Sequence, residues 1–116
     1  MFLKLIIALV EDERTEAVMK AGREAGCTGA TVITSVRGEG LKPSKTFLGL
    51  DLTSHRDVIL FLVAAPRARE ILETIAAAAH MDDEPGAGIA FQLSIEDAVG
   101  MQTQLPTLLQ EIEDAV

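Results

Sequence analysis

Two long apolar runs constrain the fold of this 116-residue chain more than any other feature of its sequence. Residues 3–10 are apolar except for Lys4, and residues 58–65 are apolar throughout. Each run has the length of one β-strand, and hydrophobic residues on both strand faces are typical of the middle of a sheet. The first run is too short to span a bilayer, and three acidic residues follow it directly, unlike a signal peptide. We therefore expect two central strands and a cytoplasmic protein.

Two amphipathic helices are expected, one after each run. The first extends from Glu11 to Gly26, where glycine favours a helix end, and its buried face is small: Ala17, Val18, Ala21 and Ala25. The second begins at Pro66, which suits a first helical turn, and buries Ala68, Ile71, Leu72, Ile75 and Ala79. Near its start, Arg67 and Arg69 are predicted to pair with Glu70 and Glu73 rather than with an external anion.

Residues 30–36 and 89–95 have the more polar or alternating pattern of edge strands, the second with Ile89, Phe91, Leu93 and Ile95 on one side. The order is therefore β-α-β-β-α-β, which predicts an α+β, ferredoxin-like fold with strand order 4-1-3-2. We expect one domain over residues 1–116, with a core of residues 1–100 and a tail helix of residues 101–116. Residues 38–54 show no sustained period, and we expect this loop to be mobile without a partner.

The predicted sheet has one face that its own two helices leave uncovered. Strand one is apolar on that face as well, and a large apolar surface in water marks an interface. Several copies of the chain packed around a shared axis would cover it, and so would the tail helix. We favour packing of several copies.

Charge and residue types exclude several classes of function. The chain has 18 acidic and 10 basic residues, and no Lys or Arg follows Arg69, so we expect no binding to nucleic acid. The lone Cys27, the two histidines and the adjacent acids of residues 82–84 lack metal-ligand spacing, so no metal is predicted and the acidic turn is expected to be solvated. An acylphosphatase on this fold would need an Asn, which the chain lacks, so we predict no enzymatic activity.

Three segments together resemble the nitrogen-regulatory PII signalling family. The first is the opening strand and helix. The second runs from Gly29 through the strand to Arg37-Gly38-Glu39-Gly40, similar to the base of the family's long T-loop. The third, Pro85-Gly86-Ala87-Gly88 followed by an apolar strand, is similar to the family's B-loop, Gly-Asp-Gly-Lys. The resemblance covers about residues 2 to 100.

This resemblance implies a homotrimer that binds adenine nucleotides, AMP, ADP or ATP, in clefts between subunits and reports to a partner protein through the T-loop, here residues 38–54. The ligand-binding residues that it implies are Arg37, Gly38, Gly40, Lys42, Gly86, Ala87 and Gly88. The alternative is an interaction module that no longer senses a ligand.

The chain departs from the family's pattern at its basic residues. Ile89 stands where the B-loop lysine is expected, the phosphate-binding arginines fall near Gly100 and Gln102, and Lys42 replaces a glutamine that helps hold magnesium. The T-loop tyrosine that is modified in the family has no counterpart. We therefore expect phosphate recognition to depend on backbone N–H groups together with Arg37 and Lys42, and to favour ligands with fewer phosphates than ATP.

Overall fold

The computed structural model describes residues 2–27, 29–36 and 55–100, together with the backbone of residues 46–47 and 50–51. Four antiparallel strands form the main sheet: β1 (Leu3–Glu11), β2 (Thr31–Val36), β5 (Arg56–Ala64) and β6 (Gly88–Ser94). Their order is β2-β5-β1-β6, with the two apolar strands in the middle, so the predicted ferredoxin-like order is confirmed. A two-stranded pair, β3 (Thr46–Phe47) and β4 (Leu50–Asp51), lies within the segment that we predicted to be a loop without strands.

Helices α1 (Thr15–Glu24) and α2 (Ala65–Ala78) cover one face of this sheet. Beneath them lie the fully buried side chains of the two central strands: Ile6, Ala8, Val10, Ile59, Phe61 and Val63. Helix α1 lies so close to the sheet that a Cβ at Gly22 would be 2.6 Å from Cε1 of Phe61. Glycine is therefore required at this contact.

The prediction for the buried face of α1 is wrong at Ala17, which is exposed. A 3-10 turn (Asp12–Arg14) precedes the helix, so the regular helix begins only at Thr15. Its buried residues are Thr15, Val18, Ala21 and Gly22. In α2 the predicted stripe is confirmed, with Ala68, Ile71, Ile75 and Ala79 buried and Leu72 partly buried.

Two arginines each connect the start of one helix to the end of the other. Arg67, in the first turn of α2, donates a hydrogen bond to the carbonyl of Ala25 at the end of α1. Arg14, directly before α1, donates to the carbonyl of Ala79 at the end of α2, at 2.8 Å. A cation is favourable at a helix C-terminus, which explains why Arg67 is tolerated in the first turn of its own helix.

The predicted ion pairs within α2 are both present. Nε of Arg69 lies 2.8 Å from Oε1 of Glu73, and Nε of Arg67 lies 3.6 Å from Oε2 of Glu70. Arg67 therefore contacts both its own helix and the neighbouring one. Cys27 is buried in the connection between α1 and β2.

The opposite face of the sheet, which we call the open face, is apolar and uncovered by the described residues. Its side chains form three rows across the strands: Ile33, Val58, Leu9 and Ile89; Thr31, Leu60, Ile7 and Phe91; and Leu62, Leu5 and Leu93. Phe91 is 39% exposed and Leu93 is 48% exposed. The apolar stripe predicted for the last strand therefore belongs to this face and not to the face beneath the helices. The predicted tail helix of residues 101–116 lies outside the described residues.

Candidate functional site

The antiparallel register places one end of each main strand at the same end of the sheet. Glu11, the last residue of β1, pairs with Arg56, the first residue of β5, and Arg56 also pairs with Val36 at the end of β2. On the other side of β1, Val10 pairs with Gly88, the first residue of β6. The turn before β6 and the segment after β2 therefore both leave from this end.

The turn formed by residues 85–88 places its two glycines in different surroundings. Gly86 has a φ of +77°, which favours glycine, and a Cβ there would meet no atom within 4 Å. A Cβ at Gly88 would lie 2.7 Å from the carbonyl oxygen of Leu9. Gly88 is thus needed for packing against β1, whereas Gly86 faces open space.

The backbone of this turn is partly engaged already. Ala87 is buried, and its N–H donates to the carbonyl of Glu84 at 3.2 Å. The carbonyl of Ala87 accepts a hydrogen bond from the N–H of Glu11 at 3.4 Å. Within the described part of the chain, no acceptor is found for the N–H of Gly86. Because the N–H of Ala87 is already engaged, residues 86–88 cannot offer all three of their N–H groups to a phosphate. The N–H of Gly86 remains open to a ligand.

Arg56 holds the turn in place from the neighbouring strand. Its Nη1 donates to the carbonyl of Gly86 at 2.8 Å and lies 3.6 Å from Oε1 of Glu11. Arg56 is only 4% exposed. Its positive charge is thus engaged inside the protein. The sequence does contain a signal for this role: Glu11 follows one apolar run and Arg56 precedes the other, so antiparallel pairing of the two central strands brings opposite charges together.

The acidic turn of residues 82–84 is exposed, and one of its carboxylates is also paired within the chain. Asp82, Asp83 and Glu84 are all exposed, as predicted, and Glu84 also accepts a hydrogen bond from Nη2 of Arg14. That hydrogen bond, reinforced by the positive charge, lowers the pKa of the Glu84 carboxyl, and the same contact raises the pKa of Arg14. Arg14 therefore connects the acidic turn to both helices.

The remaining predicted ligand residues, Arg37, Gly38, Gly40 and Lys42, lie outside the described residues. Their segment follows Val36 at the end of β2. Strands β2 and β6 are opposite edges of the sheet, so the end of β2 and the start of β6 are about 14 Å apart, or three strand spacings. A small ligand that contacts both segments must therefore span this distance within one chain. Otherwise it must bind between copies and contact the end of β2 in one copy and the start of β6 in another.

The described residues contain neither a membrane-spanning helix nor a cluster of metal ligands. Neither helix has the length and hydrophobicity needed to cross a membrane. No group of three or more His, Cys, Asp and Glu side chains is arranged to hold a metal ion within residues 2–27, 29–36 and 55–100.

Comparison with known proteins identifies the family. Residues 3–104 match the sequence model of the family described as nitrogen regulatory protein P-II. The chain is 33% identical over 106 residues to nitrogen regulatory protein GlnK2 of Haloferax mediterranei, an alignment that covers 87% of this chain and 85% of the relative. It is 32% identical over 107 residues to nitrogen regulatory protein P-II 2 of Methanothermobacter thermautotrophicus, covering 88% and 91%. The chain belongs to the nitrogen regulatory P-II family.

Solved structures agree with this fold at lower sequence identity. CPII from Thiomonas intermedia, in a structure bound to ADP, AMP and acetate, superposes with a TM-score of 0.59 at 20% identity, over 84% of this chain and 89% of that one. A PII-like signalling protein from Thermus thermophilus gives the same TM-score and identity over 82% and 87%. The predicted PII-like fold is thus confirmed.

Proposed function

We propose that this protein is a cytoplasmic, homotrimeric signalling protein that binds an adenine nucleotide at the end of the sheet bearing residues 85–88. The observation that carries the proposal is the geometry at Gly86: its carbonyl is fixed by Arg56, its N–H is open, and no atom would oppose a ligand approaching its Cα. Membership of the P-II family and the nucleotides bound by CPII from Thiomonas intermedia both support it. The response would be regulatory rather than catalytic.

The open face supports assembly into a trimer. Three apolar rows on four strands are too large a hydrophobic surface for a soluble single chain, and further copies packed against this face would bury it. Assembly would also bring the strand edges of one copy close to those of the next. The nucleotide would then lie between copies, contacting the turn of residues 85–88 and the predicted residues Arg37, Gly38, Gly40 and Lys42.

The charges near the turn favour nucleotides with few phosphates. Asp82 and Asp83 are exposed within four residues of Gly86, and two cations that contact this part of the described chain, Arg14 and Arg56, are already engaged in contacts within it. Repulsion from the acidic turn therefore grows with each added phosphate. We expect ADP and AMP to bind at least as tightly as metal-free ATP.

The regulated partner would be contacted through the 38–54 loop, as the resemblance to the family implies.

Calorimetric titration with AMP, ADP and ATP without metal tests this function directly. Exchanging Lys42 for Glu, or Gly86 for a bulky residue, should weaken binding by adding repulsion or obstructing the backbone, while Asp97→Ala on the exposed surface serves as the control. Metal-free ATP binding more tightly than ADP and AMP would show that the charge argument is wrong. Light scattering that finds a stable monomer at micromolar concentration would contradict the trimer.

A second candidate function is an interaction module that senses no nucleotide. It is favoured by one observation: Ile89, where the resemblance leads us to expect the B-loop lysine, lies in an apolar row of the open face beside Leu9. That position therefore has no side chain for a phosphate. Absence of binding by all three nucleotides at millimolar concentration would select this candidate over the first.

A further inference from the structure

A bulge interrupts strand β2 directly before it leaves the sheet. Ile33 pairs with Val58 and Val36 pairs with Arg56, so the two residues between them on β2 face a single residue on β5. The extra residue at the bulge is Ser35, whose φ of +57° lies in the left-handed region. Such a conformation costs a non-glycine residue energy and persists only where its surroundings hold it. A bulge also bends its strand, which redirects the chain that follows.

Asp57 supplies the contact that holds this bulge. It is the residue of β5 opposite the bulge, and its Oδ1 accepts a hydrogen bond from the backbone N–H of Ser35 at 3.2 Å. Its Oδ2 accepts a hydrogen bond from the hydroxyl of Thr15, the first residue of α1, at 2.6 Å. Asp57 is 7% exposed, and a buried carboxylate is costly unless it is hydrogen-bonded. Both of its oxygens are satisfied by groups that fix the end of β2 relative to α1.

The adjacent residue performs a similar task at the other corner of the sheet. Arg56 lies on the opposite face of β5 and donates to the carbonyl of Gly86 in the turn before β6. Two consecutive residues of one central strand thus contact the two chain segments that leave this end of the sheet. Because β5 is rigidly paired on both sides, these contacts hold the two segments in a fixed relation to each other.

We propose that Asp57 is a positioning residue of the nucleotide site, which sets the direction in which the chain leaves β2 through its hydrogen bonds to Ser35 and Thr15. This inference rests on the proposed function, because it assigns to the end of β2 one wall of that site. Asp57 itself does not contact the ligand: it lies beneath α1 and acts through the backbone of Ser35.

The test combines hydrogen exchange of the Ser35 amide in the ligand-free protein with calorimetric titration of ADP. Asp57→Ala removes both hydrogen bonds, so the Ser35 amide should lose its protection and ADP should bind roughly tenfold more weakly, as expected for loss of hydrogen bonds to a charged group. Asp57→Asn keeps an acceptor and a partner for the hydroxyl, and should restore ADP affinity to within about threefold of the wild type.

A matched pair of threonine variants separates positioning from general destabilisation. Thr15→Val removes only the hydroxyl that contacts Asp57 and should weaken ADP binding. Thr74→Val removes a hydroxyl that donates to the Glu70 carbonyl on the exposed side of α2, and should leave ADP affinity unchanged. Equal effects of the two variants on ADP affinity at equal melting temperature would overturn the proposal.

The two readouts distinguish failure of this inference from failure of the proposed function. If the wild type binds ADP and Asp57→Ala binds it equally well, the positioning role is wrong while the nucleotide site stands. If the wild type binds no nucleotide, the proposed function is wrong and the role of Asp57 in a nucleotide site is overturned with it. The exchange measurement then decides only whether Asp57 holds the end of β2: protection lost at residues 33–36 in Asp57→Ala shows that it does, and unchanged protection shows that it does not.

Discussion

The two faces of the main sheet differ in what completes them. On the helix-covered face, Ile6 and Phe61 are buried by elements of the same chain, and even the close approach of α1 is accommodated by Gly22. On the open face, side chains of equal hydrophobicity, such as Phe91, remain exposed in one chain. The contrast teaches that the core of the single chain and the surface available for the proposed assembly are formed by different residues of the same strands, which alternate one by one along β1.

The largest effect is expected from a charge placed in the middle of the open face. Ile7→Asp should convert the assembly to monomers, because an unpaired carboxylate cannot be buried between apolar rows without a large cost. Size-exclusion chromatography with light scattering measures the result. Ala17→Asp places the same charge on the exposed side of α1 and should leave the assembly intact. If both variants keep the wild-type mass, the open face is covered by something other than copies of the chain.

The comparison is sharpened by shortening one phenylalanine on each face. Phe61→Ala should lower the free energy of unfolding by about 3–5 kcal/mol at any protein concentration, because it leaves a cavity in the core. Phe91→Ala should lower the free energy of unfolding by an amount that depends on protein concentration, because the proposed trimer would bury that side chain. Urea unfolding at several concentrations decides, and concentration-independent losses for both would contradict the distinction.

The two glycines of the turn offer a smaller version of the same contrast. Gly88→Ala should destabilise the protein by about 1–3 kcal/mol, because the new methyl group would collide with the carbonyl of Leu9. Gly86→Ala meets no atom and should cost only about 1 kcal/mol, from its positive φ. Urea midpoints at constant slope measure both values, and a larger loss for Gly86→Ala would reverse our assignment of the two roles.

The smallest effect concerns the ion pair between Arg14 and Glu84. Because the pKa of Glu84 is lowered in the folded state, its contribution to stability is present above the ordinary glutamate pKa of about 4.3 and is lost as pH falls through the lowered value. Glu84→Gln should therefore flatten the fall in melting temperature between neutral and acidic pH. Glu73→Gln, in the exposed pair with Arg69, is the control and should change that slope less. Equal slopes for Glu84→Gln and the wild type would contradict the assignment.

Much of the fold could be predicted because it depends on long hydrophobic patterns. The runs at residues 3–10 and 58–65 are apolar on both faces, which identifies the central strands and thereby the strand order. Ala17 was assigned wrongly because the buried face is centred on Val18 and Gly22, and at 100° per residue Ala17 lies at its margin. Arg67 pairs with Glu70 as predicted, but its second contact, with Ala25 at the end of the other helix, joins residues 42 positions apart and cannot be inferred from spacing along one helix.

The candidate site was less predictable than the fold. The glycines of the turn are visible in the sequence, but their different reasons for being glycine depend on what lies opposite each of them. Arg56 and Asp57 were missed as internal supports, because arginine and aspartate are exposed in most proteins and become buried only when tertiary contacts satisfy them. The predicted residues at Arg37, Gly38, Gly40 and Lys42 stay predictions.

The bulge in β2 changes which side chains of the strand lie on which face of the sheet. Without it, residues 33 and 35 would share a face; with it, Ile33 and Val36 both lie opposite open-face positions of β5. The extra residue thus reverses the alternation of side chains at Val36, the last described residue of the strand. The register of β2 against β5 changes at Ser35, so the rows of side chains up to Ile33 do not depend on the register beyond it. Changes in the length of the loop after Val36 therefore need not disturb those rows. A loop attached in this way can diverge in length and sequence while the sheet that carries it stays the same.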